Sequence, residues 1–167
     1  MTSNVPELIL LRHGIAEDRS HDLPDHDRQL TSAGRQRTRA VLERASALGI
    51  LVDRLVSSPL ARARQTAAIA VGCGIAPAME ISEALAPGVD PMPWLTGWLS
   101  QAPSSLMLVG HEPDLGLLAS RLIAATTGGI RFRKAGLARI ELISPETIRT
   151  GNPGGDVSPC CSPRGRS

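Results

Sequence analysis

Aromatic side chains are almost missing from this chain: no Tyr, one Phe and two Trp in 167 residues. Hydrophobic residues still make up 42%, so a core has to be built from Leu, Ile, Val and Ala. The same scarcity removes the platforms on which single-stranded nucleic acids stack. Charge of one sign is not in excess either, with 18 Lys and Arg against 16 Asp and Glu. A duplex binder would need a basic stripe. The one dense basic cluster, Arg131, Arg133 and Lys134, reads as a solvated turn. No nucleic acid is expected as a partner.

Cysteine is scarce as well. Cys73, Cys160 and Cys161 make neither an even disulfide framework nor a metal-ligand spacing. No apolar run approaches the roughly 20 residues that span a bilayer, and Met1 to Glu7 lacks the charged and apolar regions of a signal peptide. The expectation is a cytoplasmic protein with no membrane contact, no metal and no cofactor. The oligomeric state is not legible.

What is present is a set of short apolar runs, each followed by polar residues. Leu8 to Leu11 is wholly apolar and predicts a strand buried on both faces; it breaks at Arg12-His13-Gly14. Glu17 to Gln29 has no period and reads as a surface loop. Thr31 is placed to cap a helix whose inner face is Val41, Leu42, Ala45 and Leu48, ending at Gly49. Arg54 to Ser57 predicts a second strand. Ser58-Pro59 then predicts a capped helix start with proline in the first turn, and Leu60, Ala63, Ala67 and Ala70 supply its inward stripe.

Ala78 to Ile81 is a weak third strand, and Pro93 to Ser100 a short helix with Trp94, Leu95, Trp98 and Leu99 inward. Leu106 to Val109 is another buried strand, ending at Gly110-His111, and Pro113 opens a helix carrying Leu115, Leu118 and Leu122. Leu137 to Ile143 alternates and closes the domain as an edge strand. This alternation predicts an α/β fold, a three-layer α/β/α sandwich with a mostly parallel sheet, in a single domain over residues 1–150. Residues 151–167, in which Gly, Pro and Ser make up 10 of 17, read as a disordered tail.

In parallel sheets ligands sit beyond the carboxyl ends of the strands. His13, Ser57-Ser58 and His111 each follow an apolar run directly, so three strands deliver polar groups to one edge. Gly14 lets a ligand approach the backbone closely. Arg62 falls in the first turn of a helix, where free N–H groups and the dipole already favour an anion, and its guanidinium adds a bidentate grip on phosphate. Cys160-Cys161 carries no pattern, and His21 and His26, among Asp22, Asp25 and Asp27, read as a solvated loop rather than a metal site.

These residues carry a resemblance. Leu10-Leu11-Arg12-His13-Gly14, Leu30-Thr31 through Gly34, Ser57 through Thr66 and Val109 through Gly116 resemble the histidine phosphatase superfamily, the phosphoglycerate-mutase-like fold. Within it the chain is similar to the small SixA-type phosphohistidine phosphatases, over about residues 7–143. The resemblance implies that His13 is the nucleophile, Arg12 and Arg62 the phosphate-binding arginines, and His111 the second pocket histidine. It also places Glu83 in the acid-bearing segment and gives Arg28 a structural or rim role.

The chemistry agrees. A histidine with an ordinary pKa near 6.5 is substantially neutral at pH 7 and can attack phosphorus, and guanidinium groups can spread over the equatorial oxygens. The expected function is metal-independent hydrolysis of phosphohistidine on a phosphorylated protein, a phosphotransfer domain, through phospho-His13. The alternatives are a phosphomonoesterase acting on a small metabolite or sugar phosphate, and a module that binds phosphoproteins without turning them over. The short connections are expected to leave the pocket open.

Overall fold

Leu8, Ile9, Leu10 and Leu11 are completely buried because they form a strand with a core on each side, which is what a continuous apolar run requires. The structure is a computed structural model and describes residues 6–101 and 104–142. This strand, β1, spans Glu7–Arg12. It is followed by α1 (Ser32–Ala47), β2 (Arg54–Ser57), α2 (Ala61–Gly72), β3 (Glu80–Ile81), α3 (Met92–Leu99), β4 (Ser105–Gly110), α4 (Asp114–Leu122) and β5 (Leu137–Glu141). The tail at 151–167, with Cys160 and Cys161, and Ile143 at the end of the expected last strand lie outside the described residues.

The sheet order is β3-β2-β4-β1-β5. β1, β2, β3 and β4 are parallel, and β5 runs antiparallel along β1 with Leu11 opposite Leu137. Side-chain alternation divides the interior in two. Leu8, Leu10, Val56, Leu106 and Leu108 face one way and pack with Leu95 and Trp98 of α3 and Leu115 and Leu118 of α4. Ile9, Leu11, Leu55, Met107 and Val109 face the other way, against Leu42 of α1 and Ala63 and Ala67 of α2. The fold is therefore the expected three-layer α/β/α sandwich. Each fully buried Leu contributes about 2 kcal/mol by area, so the core needs little aromatic bulk beyond Trp98 and Phe132.

Local signals account for most boundaries. Thr31 caps α1, its hydroxyl accepting from Gly34 N at 2.9 Å. Gly49, at φ +81, follows the C-cap of that helix. Trp94 and Leu99 are only partly buried, whereas Leu95 and Trp98 are core.

The last strand stops at Glu141, short of Leu142, and Leu48, expected on the inner face of α1, is exposed; two other boundaries differ more. The third strand shrinks from four residues to Glu80–Ile81, both exposed, because it is the sheet edge and pairs only with Val56 and Ser57. Helix α2 starts at Ala61 with Leu60 at its N-cap, so Ser58 is not the cap and Pro59 is not in the first turn. Ser58 is held elsewhere. Its N–H donates to Val109 O at 3.0 Å, and its hydroxyl pairs with a histidine at 2.7 Å.

Candidate active site

Backbone pairing continues past the strand ends and fixes the edge where the polar groups emerge. His13 N donates to Gly110 O at 3.1 Å, Ser58 N to Val109 O at 3.0 Å, and Ser82 N to Ser57 O at 3.0 Å. Residues 13, 58, 82 and 111 thus sit on one stitched rim. Gly14 has a steric reason to be glycine: a Cβ there would collide with Thr38 Oγ1 and meet Leu30 Cδ2 at 3.2 Å. Its N–H donates to Thr66 Oγ1 at 3.1 Å, and Thr66 donates in turn to Arg62 O at 2.8 Å. The His13 loop and the Arg62 helix are joined through that hydroxyl.

The structure brings His13 and His111 together, both buried, with ring centroids 5.0 Å apart. His13 Nδ1 lies 2.7 Å from Gly14 O. A carbonyl oxygen only accepts, so Nδ1 carries the hydrogen and Nε2 keeps its lone pair in the neutral ring. Burial, then the positive charge of Lys134 and the neighbouring His111, lower the His13 pKa to about 2, against the opposing bond to Gly14. His111 pairs through Nε2 with Ser58 Oγ at 2.7 Å. Burial, followed by Arg62, lowers its pKa to about 4. Both rings are neutral at pH 7.

Arg12 donates from Nη1 to Phe132 O at 2.6 Å. Arg62 donates from Nη1 to Asp25 O at 2.6 Å and from Nη2 to Asp25 Oδ2 at 2.9 Å. Burial pulls the Arg62 pKa down while Asp25 raises it; a guanidinium nonetheless stays charged. Three buried nitrogens here, Arg12 Nε, Arg62 Nε and His111 Nδ1, have no hydrogen-bond partner among the described residues. Unpaired buried nitrogens are costly. A multiply charged anion with several acceptor oxygens is the ligand chemistry that suits them. An open cavity of about 350 Å³, lined by Arg12, Glu112, Pro113, Arg131 and Phe132, adjoins the Arg12 side.

Asp25 and Lys134 do not show in the sequence as contributors, and Ser58, expected at this edge, has a partner the sequence does not reveal. The loop at 17–29 is not merely solvated: Asp25 reaches Arg62, and Arg28 donates to Asp25 Oδ1 from Nε at 3.0 Å and from Nη2 at 2.7 Å. Burial alone would raise the Asp25 carboxyl, but Arg62 and Arg28 overcome it and bring the pKa down to about 2. The expected open pocket is therefore shielded at its Arg62 side. Ser58 holds His111 rather than a helix end. Lys134 is half-buried and acts on both histidines, in contrast to exposed Arg131 and Arg133. Glu83 follows β3 at the same edge; it is exposed, and among the described residues no hydrogen bond joins it to His13 or His111. His21 and His26 stay on the exposed loop.

Comparison with known proteins places these features. Residues 8–86 match the model of the histidine phosphatase superfamily, branch 1. An uncharacterized protein of Picosynechococcus sp. is 39% identical over 135 residues, covering 78% of this chain and 82% of that protein. A structure from Agrobacterium tumefaciens assigned as the phosphohistidine phosphatase SixA superposes with a TM-score of 0.69 at 25% identity, covering 83% of this chain and 95% of the other. A mycobacterial glucosyl-3-phosphoglycerate phosphatase shares the fold, with a TM-score of 0.62 at 19% identity, over 80% of this chain and 88% of its own.

Proposed function

Because this chain belongs to the histidine phosphatase superfamily and is a phosphatase of that group, we propose that it removes phosphate from phosphohistidine on a partner protein, through a covalent phospho-His13 intermediate. The observation that carries this is the state of His13. It is neutral, its Nδ1–H is committed to Gly14 O, and its Nε2 lone pair is free at an edge shared with Arg12, Arg62 and His111.

In the first step His13 Nε2 attacks phosphorus and the bond to the leaving group breaks. Arg12, Arg62 and His111 hold the equatorial oxygens as charge redistributes. Water then attacks phospho-His13, releasing phosphate and restoring the free imidazole. Gly14, expected to admit a ligand to the backbone, instead lets the His13 turn pack against Thr38 and Leu30, with its N–H held by Thr66 Oγ1.

The leaving group decides how much acid the site needs. An alkoxide must be protonated as it departs, whereas a protonated phosphoimidazole leaves as neutral imidazole near pH 7. Glu83 is the available acid on the β3 side, and it is exposed and unattached to the histidine pair. A weakly supplied acid favours phosphohistidine over a phosphate ester. On this reading the partner is a phosphotransfer domain, and the cytoplasm is the compartment we propose for the pair. No helix among the described residues is long and apolar enough to cross a membrane.

The test is phosphate release from a phosphohistidine-bearing phosphotransfer protein, a phosphoserine peptide and a sugar phosphate, with His13→Ala as blank. Faster release from phosphohistidine, lost in the variant, is expected. Faster release from the sugar phosphate would move the function to small metabolites. Phosphate bound but never released from any of the three would make the protein a binding module.

A further inference from the structure

The chain returns along the outer side of β1 as β5, antiparallel, so the residues just before β5 arrive at the carboxyl end of β1. That segment is fastened to the two residues that open the site. Arg12 N donates to Gly136 O at 3.0 Å, Ala135 N donates to His13 O at 3.2 Å, and Arg12 Nη1 holds Phe132 O at 2.6 Å. The turn is tight: Ala135 takes φ 58, in the left-handed region that disfavours a residue with a Cβ. A Cβ on Gly136 would meet Arg133 O at 2.7 Å. Lys134 stands between these clamps. Among the described residues no carboxylate pairs with it.

We propose that Lys134 is a further substrate-binding residue: its ammonium grips the phosphoryl group from the β5 side of the rim, as Arg62 does from the β2 side. The inference rests on the reading of this rim as a phosphoryl site. The strand order supports it, since β2, β4 and β1 bring Arg62, His111 and His13 in turn, and β5 adds Lys134 beyond them. Among the charges acting on His13, Lys134 stands ahead of His111 and Arg62. Lys134 in turn is lowered to about 8 by burial, then by Arg12, Arg62, Arg28 and Arg19; the carboxylates near these cations are Asp25, bound to Arg62, and Glu112, beside Arg12 in the cavity and bonded to Phe132 N, and neither pairs with Lys134 among the described residues. A half-buried ammonium surrounded by other cations is stabilised by an anion and by little else.

The experiment titrates tungstate, a tetrahedral dianion, into wild-type protein, Lys134→Met and Lys134→Arg at pH 7 and pH 9, beside the phosphate-release assay. The methionine variant is expected to bind tungstate on the order of tenfold to a hundredfold more weakly at pH 7, and arginine to restore most of that loss. Wild-type affinity should fall between pH 7 and pH 9 as the ammonium loses its proton at about 8. The arginine variant should hold its affinity, which keeps the test open if the methionine variant does not fold. Equal affinity for wild type and Lys134→Met, or the same fall with pH in all three, overturns the inference. Binding is read without turnover, so the two readings separate. Tungstate held through Lys134 without release from any substrate refutes the hydrolase assignment alone, and His13-dependent turnover with unchanged tungstate affinity refutes the role of Lys134 alone.

Discussion

Acidification from pH 6.5 to pH 5 should destabilise this protein through His13 and His111. Free of the fold, His13 and His111 titrate near 6.5; folded, they titrate at about 2 and about 4 because burial disfavours the charged rings. Below pH 6.5 the unfolded chain takes up protons that the folded chain refuses, so stability is full above that pH and is lost as pH falls. Each histidine costs about 1.4 kcal/mol per pH unit. Over 1.5 units the pair costs on the order of 4 kcal/mol, a large part of an ordinary domain's stability of about 5–15 kcal/mol.

For a chain of this size that is a fall in Tm on the order of 10 °C. Carboxylates do not confuse the window. Asp25, Asp53, Glu80 and Asp90 are all lowered from their ordinary values of 3.8 for the aspartates and 4.5 for Glu80, so what they contribute is lost as pH falls below those values, under this window. Thermal melts followed by circular dichroism at pH 6.5 and pH 5 give the readout, with His13→Gln and the His13→Gln/His111→Gln double variant beside wild type. The single variant should keep about half of the fall and the double variant almost none. Parallel behaviour of all three would refute the claim that the rings are buried and neutral.

Arg62→Ala should lower kcat by about 10²–10³, the effect of removing one donor from a developing charge, in the phosphate-release assay. Asp25→Asn, at a side chain that is 43% exposed, should cost about 1 kcal/mol after solvent screening; in urea unfolding the difference from wild type should vanish as pH falls from 3.8 toward 2, where the wild-type carboxyl itself protonates. Gly14→Ala forces a Cβ against Thr38 Oγ1, and overpacking of this kind costs about 1–3 kcal/mol, measured by the same unfolding. Leu95→Ala, at a completely buried position, should cost about 2–5 kcal/mol while leaving the KM for substrate unchanged.

Strands with cores on both faces announce themselves, which is why β1, β2 and β4 and the residues that follow them were legible in the amino-acid order. An edge strand of two exposed residues has no such signature, so the sequence predicts a longer β3 than the fold holds. Ser58 misled for a different reason: Ser-Pro is a good helix start in isolation, but a hydrogen bond to a histidine 53 residues away outweighs the local preference. Asp25 and Lys134 read as solvated residues because local composition is polar around both. Their partners lie far along the chain, with Asp25 and Arg62 separated by 37 residues, and only the sheet order brings such groups to one rim.

The stitching of that rim has a dynamic consequence. The amides of His13, Gly14, Ser58 and Ser82 are bonded across strand ends or into a buried hydroxyl, so they cannot open without loosening the sheet itself. Hydrogen exchange at these positions should track global unfolding rather than local breathing. Motion that admits a substrate must then come from the segments laid over the rim, above all the 17–29 loop carrying Asp25. Hydrogen exchange slow at His13 and fast along the 17–29 loop is the pattern this predicts.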